Sequence, residues 1–160
     1  MTASFRNPSE KSGLPPGSLV HVGDVLEAVP RISLIDYDSE NIEERQIRSI
    51  DEILKYRDSD TITWVIIEGL TNVDIIESIG TFFGVHNLVL EDILNTHQRP
   101  KFEDYDDHLY IVLKCLLYEE EGCTVTYEQI SILVLKGFVF VFKEKTDDLL
   151  DPVLNGIRSG

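Results

Sequence analysis

Residues 105–145 read YDDHLYIVLKCLLYEEEGCTVTYEQISILVLKGFVFVFKEK. Three β-rich runs are split by the acidic residues and glycine at 119–122 and by Lys136 and Gly137. Each break is short enough for a hairpin, so the stretch predicts an antiparallel meander. Phe138, Phe140 and Phe142 alternate with valines, as a half-buried strand requires, and need no cofactor to explain them.

Upstream, TITWVIIEGL (61–70) is continuously apolar from Trp64 to Ile67 and stops at Gly69, which predicts a strand covered on both faces and central in its sheet. Thr71 and Asp74 then offer a capping pattern. Ile75, Ile76, Ile79, Phe82 and Phe83 recur at helical spacing until Gly84, predicting a helix with a buried face. A second helix is expected over 86–95, with Val85, Leu88, Val89, Ile93 and Leu94 mostly on one side and Arg99 and Pro100 ending it.

Nearer the N-terminus, residues 19–22 and RISLIDY (31–37) read as two strands. SENIEERQI (39–47) and SIDEILKY (49–56) read as two short surface helices, the first opened by Ser39 and the second by Ser49 in a Ser-x-x-Glu pattern with Glu52. A last helix is expected over 147–158, with Leu149, Leu150, Val153, Leu154 and Ile157 apolar, and its lack of a following partner suggests truncation. Residues 1–17, rich in Ser, Pro, Gly and charge, are expected to be a flexible tail, leaving 18–160 as one domain. The predicted class is α/β (α+β), a mixed parallel and antiparallel sheet with helices on both faces.

With 160 residues and 42% hydrophobic content, one domain can bury about 68–70% of its unfolded surface. Asp plus Glu number 29 against 14 Lys plus Arg, a formal charge of −15. An acidic surface repels phosphates, which excludes nucleic acid and makes divalent cations or basic partners the natural ligands, although acidity also serves solubility alone. Cys115 and Cys123 have no CxxC partner or zinc-ligand spacing and are expected to be reduced thiols. The absence of a secretory signal and of any apolar run of membrane length predicts a soluble, intracellular chain. No P-loop, GxGxxG, GxSxG or HExxH occurs, so an enzyme is not expected. His21, His86, His97 and His108 are scattered, and Pro100 breaks any helix that would align the last three.

Carboxylates are therefore the chemically loaded groups, and most are expected on solvated faces or turns. Magnesium takes oxygen ligands and keeps several waters, so one or two carboxylates at an interface suffice for it. With Val85 at zero and about 100° per residue, Asp92 falls at about 340°, between Val85 and Leu88 at the border of the apolar face. There it can point along a contact with another element or subunit. Glu91, at about 240°, is expected to project toward water. Spacing leaves an ordinary exposed acid pair equally open.

Residues 82–114, FFGVHNLVLEDILNTHQRPKFEDYDDHLYIVLK, resemble the signature region of the CorA family of divalent-cation transporters. GLPPGSLVHVG (13–23), IDYD (35–38), TWVIIEGL (63–70), EQISILVLKGFVFVFKEK (128–145) and DPVLNGIR (151–158) extend the likeness over nearly everything after residue 12. The resemblance implies a funnel-shaped homopentamer with cytoplasmic α/β domains at the inner membrane, joined by a long stalk helix to two membrane helices per subunit. This chain would be the Mg2+-sensing regulatory part of a transporter of Mg2+, and also of Co2+ or Ni2+. It would touch the membrane only through C-terminal helices beyond its end, and could be monomeric as a fragment.

The family's Gly-Met-Asn pore motif has no counterpart here, so these residues are expected to bind and respond, not to conduct. The resemblance places regulatory Mg2+, with Co2+ as a possible substitute, on Asp92 between neighbouring subunits, with Glu91 near a second site. Partner carboxylates would come from the stalk region. Asn87 stands where the family usually has proline, which bears on the helix start and leaves Asp92 untouched. Arg99, Pro100 and Lys101 are expected to be structural, the basic pair neutralising nearby acids. Two rivals are a zinc-transporting member of the same superfamily and a stand-alone acidic interaction domain.

Overall fold

The computed structural model describes residues 12–23, 30–119 and 122–159. Among them, β1 (Arg31–Tyr37), β2 (Ile42–Ile47), β3 (Ile62–Glu68), β4 (Lys101–Asp104), β5 (Leu109–Glu119), β6 (Thr124–Leu135) and β7 (Phe138–Lys143) form one sheet in the order β2-β1-β3-β7-β6-β5-β4. Its neighbours are antiparallel except β3 with β7, which run parallel. The helices are α1 (Val73–Phe83), α2 (Asn87–Leu94) and α3 (Asp151–Ser159). The mixed sheet and the meander β5-β6-β7 are as expected, and β3 lies inside the sheet, between β1 and β7.

Period-two alternation divides the apolar side chains between two layers. Leu34, Val65, Ile67, Tyr110, Val112, Leu133, Phe138, Phe140 and Phe142 form the main core with Ile76, Ile79, Val89, Leu90, Ile93 and Leu94 of α1 and α2. Ile35, Ile66, Ile130 and Val141 lie in the opposite layer, packed by Leu149, Leu150 and Leu154 at and before α3. Helices thus cover both faces. Gly80 lets α1 meet α2, because an added Cβ there would lie 2.3 Å from Leu90 Cδ1. Gly84 ends α1 with φ 74°, its N–H bonded to the Gly80 carbonyl.

Four local expectations are corrected. IEERQI is strand β2, not a helix: Asp38 Oδ1 accepts the N–H groups of Glu40 and Asn41 at 2.7 and 2.8 Å, closing a turn that lays the segment antiparallel on β1. Pairing along β1 and burying Ile47 against the core outweigh the helical propensity of Glu, Arg and Gln, which amounts to only tenths of a kcal/mol per residue. SIDEILKY forms two 3-10 turns, Ile50–Glu52 and Leu54–Tyr56, with Ser49 Oγ accepting from Asp51 N–H and Glu52 accepting from Arg48 N–H. The expected strand over 19–22 contracts to a single bridge between Val22 and Asn95. Thr71 does not cap α1; Asn72 holds that position without a side-chain bond.

Candidate metal-responsive site

Helix α2 is set by its ends. His86 Nδ1 accepts the Leu88 N–H at 3.2 Å at the start, so Asn87 opens the helix without proline. Asn95 closes it, well before Pro100, and its Oδ1 accepts the His97 N–H at 3.2 Å. Val89, Leu90, Ile93 and Leu94 are buried, which leaves Asp92 and Glu91 half-buried at the margin of the buried face. Asp92 is where the helical spacing places it. Glu91 does not simply project to water: its Oε2 accepts the Gly17 N–H at 2.7 Å, because residues before Ser18 run past that side of the helix. The remainder of the expected tail, residues 1–11, lies outside the described residues.

Strand β4 supplies the other wall. It pairs with β5 so that Lys101 lies beside Val112 and Glu103 beside Tyr110, and alternation turns both side chains toward the face that carries α2. Lys101 Nζ donates to Asp92 Oδ2 at 2.5 Å and to Glu103 Oε1 at 3.0 Å. Gln98 Nε2 donates to Asp92 Oδ1 at 2.6 Å, and Tyr105 donates its hydroxyl to Glu103 Oε2 at 3.0 Å. Glu91, Asp92, Glu103, Tyr105 and Leu88 face Pro15 and Pro16 across a cleft of about 520 Å3.

Electrostatics follow from this packing. Burial works to lower the pKa of the Lys101 ammonium, but its bonds to Asp92 and Glu103 outweigh that and the net shift is upward. Burial pushes the Tyr105 hydroxyl up, and Glu103 adds to the rise. Tyr110, whose ring centroid lies 5.1 Å from Lys101 Nζ, is also driven upward, first by burial. Lys101 therefore stays cationic and both tyrosines stay neutral at ordinary pH.

The structure joins Asp92 to Gln98, Lys101 and Glu103, a constellation that the sequence reading of α2 alone missed. The expectation that the basic pair neutralises acids holds for Lys101. Its partner could have been found only from the four-residue strand KFED, too short to read by pattern. The donor set suits a hard cation: carboxylate oxygens on a half-exposed cleft, with room for the waters that Mg2+ keeps. Among the described residues no group of three His, Cys, Asp or Glu side chains is arranged to hold a metal, so a site here needs donors from elsewhere. The histidines stay apart: His86 caps α2, His108 meets Asp107 and stacks on Tyr105, and His21 meets Glu144. Cys115 and Cys123 form no disulfide.

A second charged cluster lies under α3. Arg31 Nε donates to Glu68 at 2.5 Å, buried Lys143 pairs with Asp147, and buried Glu128 accepts the Lys145 N–H at 2.9 Å. Burial lifts the Glu128 carboxyl to about 7.

The family described as CorA-like Mg2+ transporter protein matches residues 59–159. The chain belongs to this family. It is 42% identical over 150 residues to the cobalt/magnesium transport protein CorA of Thermotoga maritima, covering 94% of this chain and 42% of that relative. The chain thus spans less than half the length of that CorA protein. Among solved structures, the soluble domain of CorA from Methanocaldococcus jannaschii superposes with a TM-score of 0.56 at 16% identity, over 81% of this chain and 46% of that one. The full-length CmaX protein superposes with a TM-score of 0.64 at 10% identity, over 82% and 40%. At these identities the two show the CorA soluble-domain fold. Among the described residues no helix is long and apolar enough to cross a membrane.

Proposed function

We propose that this chain is the Mg2+-sensing regulatory domain of a CorA-like divalent-cation transporter, and that Asp92 supplies one carboxylate of a regulatory site shared with a neighbouring subunit. The observation that carries this reading is the place of Asp92: half-exposed in a carboxylate-lined cleft whose own chain does not complete a metal site. Glu91, one residue earlier, stands near a second site. The relationship to a cobalt/magnesium transport protein supports Mg2+ as the effector and Co2+ as a substitute, and the all-oxygen donor set supports them over zinc.

In the whole protein the domain stands on the cytoplasmic face of the membrane in a homopentamer, whose membrane helices lie outside this chain. Its part is regulatory and not catalytic. When bound, the cation neutralises facing carboxylates. Asp92 and an acid on the adjacent subunit then cease to repel each other, and the closed arrangement is favoured. Preferential binding to one state shifts the equilibrium by the differential affinity, so several weak sites sum to a sensor. Asp92→Ala in the full-length protein is expected to blunt inhibition of flux by internal Mg2+. Inhibition at unchanged Mg2+ concentrations would refute the proposal.

A further inference from the structure

We propose that Lys101 is a tethered cation that competes with the divalent ion for Asp92 and so sets how much metal the domain needs before it responds. The inference rests on the reading of Asp92 as a metal carboxylate and concerns the regulation of that site. Lys101 is held in place from three sides: Asp92 Oδ2 at 2.5 Å, Glu103 Oε1 at 3.0 Å and the Tyr110 ring at 5.1 Å. Its side chain is only 24% exposed and that of Asp92 28%, so the pair is less screened than a surface ion pair.

Gln98 occupies the other Asp92 oxygen, so both are engaged from within the chain. Each Asp92 oxygen keeps a second lone pair, but a divalent ion that used it would approach the ammonium 2.5 Å from Oδ2, a repulsion relieved when Lys101 moves onto Glu103, its second acceptor. The ammonium also offsets one of the two negative charges that Asp92 and Glu103 present. Removing it leaves both carboxylates facing the cleft with no cation between them, which favours a divalent ion.

The test uses Mn2+, which favours oxygen donors, in the full-length oligomer, where a neighbouring subunit supplies the remaining donors, read by paramagnetic broadening of a fluorine label placed on α2. Lys101→Met is expected to tighten Mn2+ binding by roughly tenfold, the scale of one lost charge-assisted hydrogen bond. Lys101→Arg, which keeps the charge, should stay near wild type, as should Lys136→Met, which removes an exposed lysine away from the cleft. If Lys101→Met does not fold, Lys101→Gln carries the same test. Unchanged or weaker binding in a folded charge-removing variant, with Asp92→Asn still abolishing the broadening, overturns the competitor role and leaves the Asp92 reading standing. Broadening that survives Asp92→Asn overturns the Asp92 reading itself.

Discussion

The Gly17 N–H donates to Glu91 Oε2 at 2.7 Å across 74 residues of sequence, fastening the segment before Ser18 to α2 beside Asp92. Gly17 sits at φ 82°, a conformation open to glycine, so the contact depends on the residue at both ends. Glu91→Ala removes the acceptor. Hydrogen exchange at the Gly17 amide is expected to rise by about tenfold, the scale of one hydrogen bond to a charged group at a partly exposed site, while α2 itself stays protected. Unaltered exchange would mean that the segment is held by other contacts.

Gly80 is the packing counterpart of that polar contact. Replacing glycine with alanine inside a helix ordinarily gains up to about 1 kcal/mol. Here the new methyl would enter space filled by the buried Leu90 side chain, and overpacking costs about 1–3 kcal/mol. Gly80→Ala is therefore expected to destabilise the domain by about 1–2 kcal/mol in urea unfolding. A gain in stability would show that Leu90 has free room to turn away.

The cluster under α3 predicts a pH dependence with a definite sign. Burial raises the Glu128 carboxyl to about 7, the charge of Asp147 adding to the rise, while the Lys145 N–H and Lys143 partly offset it. A raised carboxyl binds its proton more tightly in the folded chain than in the unfolded one. Its contribution is therefore complete below the ordinary glutamate range and fades as pH climbs from there through about 7. Burial works upward on Asp147 too, but its bond to Lys143 and the Leu149 N–H outweigh burial and hold it below the usual aspartate range. Its contribution is present above that range and is lost as pH falls through the lowered value. Unfolding followed across pH should show stability declining from the glutamate range toward neutrality. Glu128→Gln should flatten that decline and leave the acid limb, and an unchanged profile would assign the decline to another group.

The parts of this fold legible in the sequence were those with one dominant periodicity. Trp64 to Ile67 announced a buried strand, and Ile76, Ile79 and Gly84 marked α1 and its end; the alternating phenylalanines announced β7 as half-buried, whereas its place inside the sheet buries it on both faces. The misread parts were those decided by partners distant in sequence. IEERQI has no apolar stripe; the Asp38 turn and the edge of β1 make it a strand. At the site, helical spacing placed Asp92 on the border of the apolar face, where it lies. That spacing carries no information about what crosses that border. Lys101 arrives on β4, nine residues after Asp92, and Gly17 from 74 residues before Glu91, and both depend on tertiary placement.

We propose a divalent cation at Asp92 between two copies of the domain, and its presence there can be observed. The most direct measurement is anomalous diffraction from Co2+ in crystals of the full-length oligomer, compared between wild type and Asp92→Asn. An anomalous peak is expected beside the Asp92 carboxylate at a subunit boundary, with Lys101 turned toward Glu103, and is expected to be lost in Asp92→Asn. Cobalt bound elsewhere with none beside Asp92, or a peak there undiminished in Asp92→Asn, would contradict the proposal.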